Sequence, residues 1–340
     1  MKAGPVPPGG VAPGAGCGGA GESRGDPGSS RDFPRLRELI ERARLVASRE
    51  RARVGLVHPC DALALQAARL IRDEGVAQPL LVGNRRLIEV AAEQAGVDAR
   101  DFEIAETAAD APAAAARAVE LAREGTLRAL MKGSLHTDEL MSAVVHRETG
   151  LRSSRRISHA FVFDLPRYHK LLALADCVVN ITPDLKSKLD IVGNALDLLR
   201  RIGVAHPSAA VVAAVETVNP AIAATLDAQE LVRLGREGRW GDADIEGPLG
   251  FDNAFSAQAA RTKRIESVHA GDFDLMVVPD LNAGNMLYKS FVYVGGGECA
   301  GLVLGARVPI VLTSRADSLT ARVASVALAA IATREDAAQP

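Results

Sequence analysis

No C-x-x-C pair, no H-E-x-x-H segment and no uncharged apolar run of about 18 residues occurs in this chain. The four cysteines, Cys17, Cys60, Cys177 and Cys299, are widely scattered. That spacing excludes a zinc ribbon or a dithiol redox centre, and a reducing compartment suits it better than a disulfide framework. The seven histidines show no metalloprotease spacing, so no metal is expected. A transmembrane helix is not indicated. The opening Gly, Pro and Ala residues lack the basic start and apolar stretch of a signal peptide, so a cytoplasmic location is expected. A formal net charge of −2 provides no field that would gather nucleic acid or an anionic membrane. An anionic ligand would have to be held by a few placed cations.

The 340 residues are enough for two domains and a substantial core. Residues 1–33 form a separate zone rich in Gly and Pro, expected to be a disordered tail. Gly14, Gly16 and Gly19 match the spacing of a dinucleotide fingerprint there. No strand precedes them, and the fingerprint has meaning only between a strand and a helix.

From Phe33 onward short apolar runs alternate with amphipathic segments. Helices are predicted over 34–49, from Asp61 through Arg72, over 111–124, 184–201, 227–237, 283–294 and 318–332, with another capped by Thr137. Strands are predicted at 54–57, 80–82, 130–131, 161–163, 177–179, 210–215, 273–278, 302–304 and 310–312. Alternation of this kind indicates an α/β fold with a largely parallel sheet. Such sheets bind ligands beyond the carboxyl ends of their strands, so the residues just after each strand are the place to look.

Those segments are polar and specific. They include Lys132-Gly133-Ser134, Ser158-His159, Glu216-Thr217-Val218-Asn219, Pro279 through Asn285, and Thr313-Ser314-Arg315-Ala316-Asp317-Ser318. The last runs from a strand into a helix. It brings backbone N–H groups, a hydroxyl and a guanidinium fork to a helix N-terminus, which favours anions. Alternatively, Asp317 or Ser318 only caps the helix and Arg315 is a surface charge. Asn285 and Lys289 are four apart and share a helix face, where Lys289 is either a phosphate ligand or a solvated cation. Lys132-Gly133-Ser134 lacks the rest of a phosphate loop, which excludes a nucleoside triphosphatase. Gly295-Gly296-Gly297 reads as a helix terminator. His159 is a potential acid or base, or a satisfied structural histidine. Cys60 stands at a helix start, as a stabilised thiolate or as a small buried residue, and Cys177 and Cys299 read as core.

Together these segments resemble the phosphate acetyl/butyryl transferase family over roughly residues 35–335. Val278-Pro279-Asp280-Leu281-Asn282-Ala283-Gly284-Asn285 followed by Lys289 is similar to the family's P-D-L-x-x-G-N…K segment. Thr313 through Ser318 resembles its S-R loop in the butyryl-type form. Glu246 through Ala254 is similar to D-G-P-L-x-x-D-x-A, with Glu246 where Asp is usual. Met131 through Thr137 resembles the M-K-G…T segment of the butyryl branch. Four blocks in the right order make the likeness specific.

The resemblance implies two three-layer α/β domains with mainly parallel sheets and an interdomain cleft, as in isocitrate/isopropylmalate dehydrogenases. The first domain would be discontinuous, 34–152 plus 305–335, and the second would span 153–304. It further implies a homodimer, no metal, and no cofactor, with coenzyme A as substrate or product. The reaction implied is acyl-CoA plus phosphate giving acyl phosphate plus CoA, with an acyl group from acetyl to butyryl. Site residues carried by the resemblance and the strand ends are Ser314, Arg315 and Asp317 for catalysis. Asn285, Lys289, Thr217, Lys132, Ser134, Ser158 and His159 are expected to bind substrate. Acetyl-type members carry an aspartate where this chain has Ala321 and an arginine where it has Met141. Both departures fit the butyryl-type branch and leave the general base unassigned. Asp317 is the nearest acidic candidate, either as base or as an orienter of Arg315. Two other readings are a metal-dependent dehydrogenase and a non-catalytic relative. The first should show clustered aspartates, but Asp184, Asp190, Asp252 and Asp280 are dispersed. The second is supported by the missing aspartate at 321.

Overall fold

The computed structural model describes residues 33–50, 52–314 and 316–333. The glycine-rich tail, Cys17 and Arg315 therefore lie outside the described residues. In chain order the elements are α1 (Pro34–Glu50), β1 (Arg53–Val57), α2 (Ala62–Asp73), β2 (Gln78–Gly83), α3 (Arg85–Ala95), β3 (Glu103–Glu106), α4 (Ala111–Arg123), β4 (Ala129–Lys132) and α5 (Thr137–Val145). Next come β5 (Ser158–Asp164), β6 (Leu172–Ala175), α6 (Leu185–Arg201), β7 (Ser208–Val212), α7 (Ala223–Arg236), β8 (Asp244–Leu249), α8 (Phe251–Phe255) and α9 (Ala257–Lys263). The last are β9 (Leu275–Val277), α10 (Leu281–Tyr293), β10 (Glu298–Leu304), β11 (Ile310–Val311) and α11 (Leu319–Ala332).

Among the described residues, eleven strands join one sheet in the order β3-β2-β1-β4-β11-β10-β5-β6-β9-β7-β8. Pairing is parallel except where β10 meets β11 and β5, and where β5 meets β6. The fold is thus α/β with a mostly parallel sheet and helices packed on it, as the alternation of apolar runs predicts. Apolar strand residues are buried almost throughout, which explains their continuous rather than alternating pattern. Clusters form against helices on both faces. One includes α1, α2, α6 and α11, another α4 and α5, and a third gathers the aromatic rings of β5 and α10.

Side-chain caps join many strand ends to helices. Asp61 accepts the Ala64 N–H, Asp184 that of Ser187, Asp280 that of Ala283 and Ser318 that of Ala321. Each satisfies a backbone donor that the helix leaves open and sets where the helix starts. Thr137 is the first residue of α5 rather than its cap. His136 holds the cap position, and its N–H donates to Glu139 Oε2 at 2.7 Å.

The strand predicted at 177–179 is a turn. The strand of that region is β6, which ends at Ala175. Asp176 Oδ1 accepts the N–H groups of Val178 and Val179 at 2.9 and 3.0 Å, so those donors cannot enter a ladder. Strands β3 and β8 were not anticipated. β3 is half exposed, with two glutamates in four residues, and β8 carries Gly247-Pro248.

The direction of each strand decides which ends can meet. β1, β4, β11 and β5 point one way, while β10, β6, β9, β7 and β8 point the other. The carboxyl ends of β1, β4 and β11 therefore share one end of the sheet with the amino end of β10. α10 returns toward this end. Its Asn285 lies by Cys177, its Tyr288 ring stacks on Phe161 and its Phe291 packs on Phe163, a progression along β5.

Candidate active site

The turn between β11 and α11 is tied down by its own polar groups. The Ser314 N–H donates to Asp317 Oδ2 at 2.6 Å, the Asp317 N–H to the Ser314 carbonyl at 3.2 Å, and the Ala316 N–H to Ser314 Oγ at 3.3 Å. Asp317 thus acts as a clamp on the turn. Ser314 is exposed at its tip. Ser318 closes the turn by capping α11, a fourteen-residue helix whose positive end faces the same space.

Below the turn lies an arginine that the sequence reading missed. Arg322 is 5% exposed. Its Nη1 donates to Thr313 Oγ1 at 2.9 Å and its Nη2 to the Ser314 carbonyl at 2.7 Å. Burial pulls its pKa down, and the nearby Asp317 and Asp61 carboxylates oppose that shift. Its Nε has no hydrogen-bond partner among the described residues. A lone cation within the Ala- and Val-rich stretch of α11 was the available signal, since a buried charge needs partners.

The neighbouring strand ends are bonded together. Ser134 Oγ donates to Asp61 Oδ2 at 2.8 Å and accepts the Cys60 N–H at 2.9 Å. Gly133 makes this possible, because a Cβ there would lie 2.5 Å from the Val57 carbonyl and 2.8 Å from that of His58. Lys132 folds back, its ammonium donating to the Leu135 carbonyl at 2.9 Å. Burial pushes the Cys60 thiol up to about 11, with the Asp61 charge adding to the shift. Cys60 is therefore a protonated, half-buried thiol rather than a stabilised thiolate.

The second wall is α10. Asn285 Nδ2 donates to the Cys177 carbonyl at 3.4 Å. Gly284 lets the helix approach the 176–177 backbone, where a Cβ would lie 2.5 Å from the Asp176 carbonyl. Lys289 is exposed one turn further on and has no hydrogen bond or ion pair among the described residues. Tyr288 stacks on Phe161 with centroids 4.2 Å apart, and its hydroxyl donates to Asp317 Oδ1 at 3.1 Å. That bond joins α10 to the turn.

The other expected residues sit elsewhere. Ser158 and His159 open β5 rather than follow a strand, and both are buried. Ser158 Oγ accepts from Asn194 Nδ2 at 2.9 Å. Both ring nitrogens of His159 lack partners among the described residues, and burial lowers its pKa from 6.5 to about 4. Thr217 is exposed in the loop after β7. The adjacent Glu216 pairs with Lys263 at 2.8 Å, and no hydrogen bond or ion pair joins Thr217 to the Thr313 turn among the described residues. Among those residues, no group of three His, Cys, Asp or Glu side chains is placed to hold a metal.

A turn delivering a serine and helix amides, joined through Tyr288 to the helix that carries Asn285 and Lys289, suits a phosphorylated or thioester substrate. Comparison with known proteins decides the family. The model of the phosphate acetyl/butaryl transferases matches residues 100–330. The chain belongs to this family. It is an acyltransferase, and the dehydrogenase alternative falls away. A phosphate acetyltransferase from Rhizobium meliloti is 48% identical over 285 residues, covering 84% of this chain and 90% of the relative. A phosphate butyryltransferase from Clostridium acetobutylicum is 36% identical over 286 residues, covering 84% and 95%. The crystal structure of a branched-chain phosphotransacylase from Enterococcus faecalis superimposes with a TM-score of 0.73 at 28% identity, covering 83% of this transferase and 99% of that chain. The motifs of the transferase resemble the butyryl branch, yet its identity is greater to the relative called an acetyltransferase.

Proposed function

We propose that the chain interconverts acyl-CoA plus inorganic phosphate with acyl phosphate plus CoA, using a short acyl group, with acetyl preferred over butyryl. The observation that carries this reading is the Thr313–Ser318 turn, braced from beneath by buried Arg322 and joined to α10 through Tyr288. The higher identity to an acetyltransferase supports the acetyl preference.

In the direction of acyl-CoA formation, the thiol loses its proton and its sulfur attacks the acyl carbonyl. Negative charge builds on the carbonyl oxygen and then on departing phosphate. Donors already in place where that charge develops need no reorganisation, which is the usual largest gain in catalysis. We assign this role to Ser314, Arg315 and the first amides of α11. Asn285 and Lys289 hold the phosphoryl group, with Lys132 and Ser134 shaping the opposite wall. Asp317 orients the turn, since both of its oxygens are engaged by Ser314 and Tyr288. Thr217 reaches the distal part of CoA. Ser158 and His159 support the floor rather than touch substrate. The site lies between two α/β units, 34–152 with 305–335 and 153–304. The enzyme works as a cytoplasmic homodimer.

The test is CoA release from acetyl-, propionyl- and butyryl-CoA, with and without phosphate. Phosphate-dependent release that falls with chain length is expected. No phosphate-dependent release with any of the three would refute the reading.

A further inference from the structure

Attack by a thiol requires somewhere for its proton to go. A free thiol is mostly protonated near neutrality, so the carboxylates and hydroxyls around the turn are the candidates. Asp317 is occupied by two donors. Asp61 accepts from Ala64 and Ser134. Glu298, the first residue of β10, also accepts two hydrogen bonds, but of the three it alone is buried and bonded to the hydroxyl that caps α11. It is 7% exposed, and its Oε2 accepts a hydrogen bond from Ser318 Oγ at 2.5 Å. Its Oε1 accepts only the adjacent Cys299 N–H, at 3.0 Å. Because β10 runs antiparallel to β11, its amino end arrives beneath the start of α11. Ser318 in turn accepts the Ala321 N–H at 2.9 Å. A carboxyl group from the sheet thus reaches the first turn of α11, in which position 321 carries no acid.

We propose that Glu298 is the terminal proton acceptor of the transferase, drawing the thiol proton through the Ser318 hydroxyl. This rests on the acyl transfer proposed above. The thiol S–H gives its proton to Ser318 Oγ as the Ser318 hydroxyl proton passes to Glu298 Oε2. The sulfur forms its bond to the acyl carbon. The carbon–oxygen bond to phosphate breaks, and its electron pair leaves with phosphate. Glu298 ends as a carboxylic acid, and in reverse it returns the proton through Ser318 to the CoA sulfur. Ser318 is the contact group and Glu298 acts through it.

The surroundings favour proton uptake by this carboxyl. Burial is the main cause that raises the Glu298 carboxyl above its usual range, and the Asp317 charge adds to it, while the Ser318 and Cys299 hydrogen bonds oppose it. The other groups around it are the Cys299 thiol, itself raised by burial, and Asp164 opposite Glu298 on β5. Asp164 is held by Arg35 at 2.5 Å. Tyr288 on α10 and Arg322 on α11 are turned to Asp317 and to Thr313-Ser314 respectively.

The experiment compares wild type, Glu298→Gln, Glu298→Asp and Ser318→Ala across pH in the acyl-CoA-forming direction, from acyl phosphate and CoA. Glu298→Gln is expected to lower kcat about a hundredfold, with KM for acyl phosphate little changed. The acid limb of the wild-type pH profile should vanish in that variant and return, with part of the rate, in Glu298→Asp. Ser318→Ala should lose rate and the acid limb together. Folding is checked separately. Since the folded pKa is raised, ionisation costs stability as pH rises through it, and glutamine keeps the neutral form. Glu298→Gln should therefore melt no lower than wild type near neutrality. Glu298→Gln turning over at the wild-type rate with the acid limb intact overturns this assignment and leaves the acyl transfer standing. An inactive wild type overturns both.

Discussion

The Tyr288 hydroxyl donates to Asp317 Oδ1 at 3.1 Å, while the other oxygen of that carboxylate holds the Ser314 N–H at 2.6 Å. One carboxylate thus fixes the turn and fastens it to the helix that carries Asn285 and Lys289. Removing the hydroxyl alone isolates that link. Tyr288→Phe keeps the stack on Phe161 and is expected to lower kcat about tenfold, as loss of one charge-assisted hydrogen bond implies. Steady-state kinetics check this, and an unchanged kcat would show that the turn holds its shape unaided.

Arg322 supports the turn with a fork that lysine cannot reproduce. Arg322→Lys is expected to destabilise the fold by about 2–3 kcal/mol and to cost about a hundredfold in turnover. Arg315→Ala is expected to lose comparable turnover by a different route, with melting unchanged. Thermal melts set beside kinetics separate the two arginines. Equal melting temperatures for both variants would contradict the bracing role.

Gly133→Ala places a Cβ against two backbone carbonyls that cannot retreat without moving β1. A cost of about 2 kcal/mol is expected, with Ser134 displaced from Asp61. Urea unfolding measures it.

His159 is buried as a neutral ring with a pKa lowered to about 4, against 6.5 for the ordinary side chain. The unfolded chain binds this proton over that interval and the folded chain does not. Stability is therefore full above about pH 6.5 and is lost as pH falls toward about 4. His159→Leu should flatten this part of the profile in urea midpoints taken across that range. A slope equal to that of wild type would place the acid sensitivity elsewhere.

Chain length is set by the space around the acyl group, where one methylene is worth about 1–3 kcal/mol. Acetyl-CoA is expected to exceed butyryl-CoA in kcat/KM by about tenfold or more. The reverse order would favour the butyryl-type motifs over the overall identity.

Much of the fold was legible because its signals are local. Asp61, Asp184 and Ser318 each cap a helix at a predicted start, and Asp280 caps one that begins two residues before the predicted 283. The strands were legible as apolar runs, except where a side chain outcompetes the ladder, as Asp176 does at 177–179. Strand direction was not legible. The reversals at β10 and β5 depend on pairing between distant segments, and they put Ser158 and His159 at the start of a strand instead of beyond its end. In the site, Ser314 and Asp317 were visible because they are polar and follow a strand. Arg322, Tyr288 and Glu298 were not, because each lies within an apolar-looking element and gains its role from a partner 8 to 29 positions away, Ser314, Asp317 or Ser318.

The seven residue pairs between β5 and β10, from Asp164 with Glu298 to Ser158 with Leu304, stitch one set of parallel strands to the other. A jaw with an unbroken ladder across its hinge cannot gape without tearing it. The Tyr288–Asp317 bond between α10 and the Thr313 turn is therefore held at one spacing by the sheet beneath it.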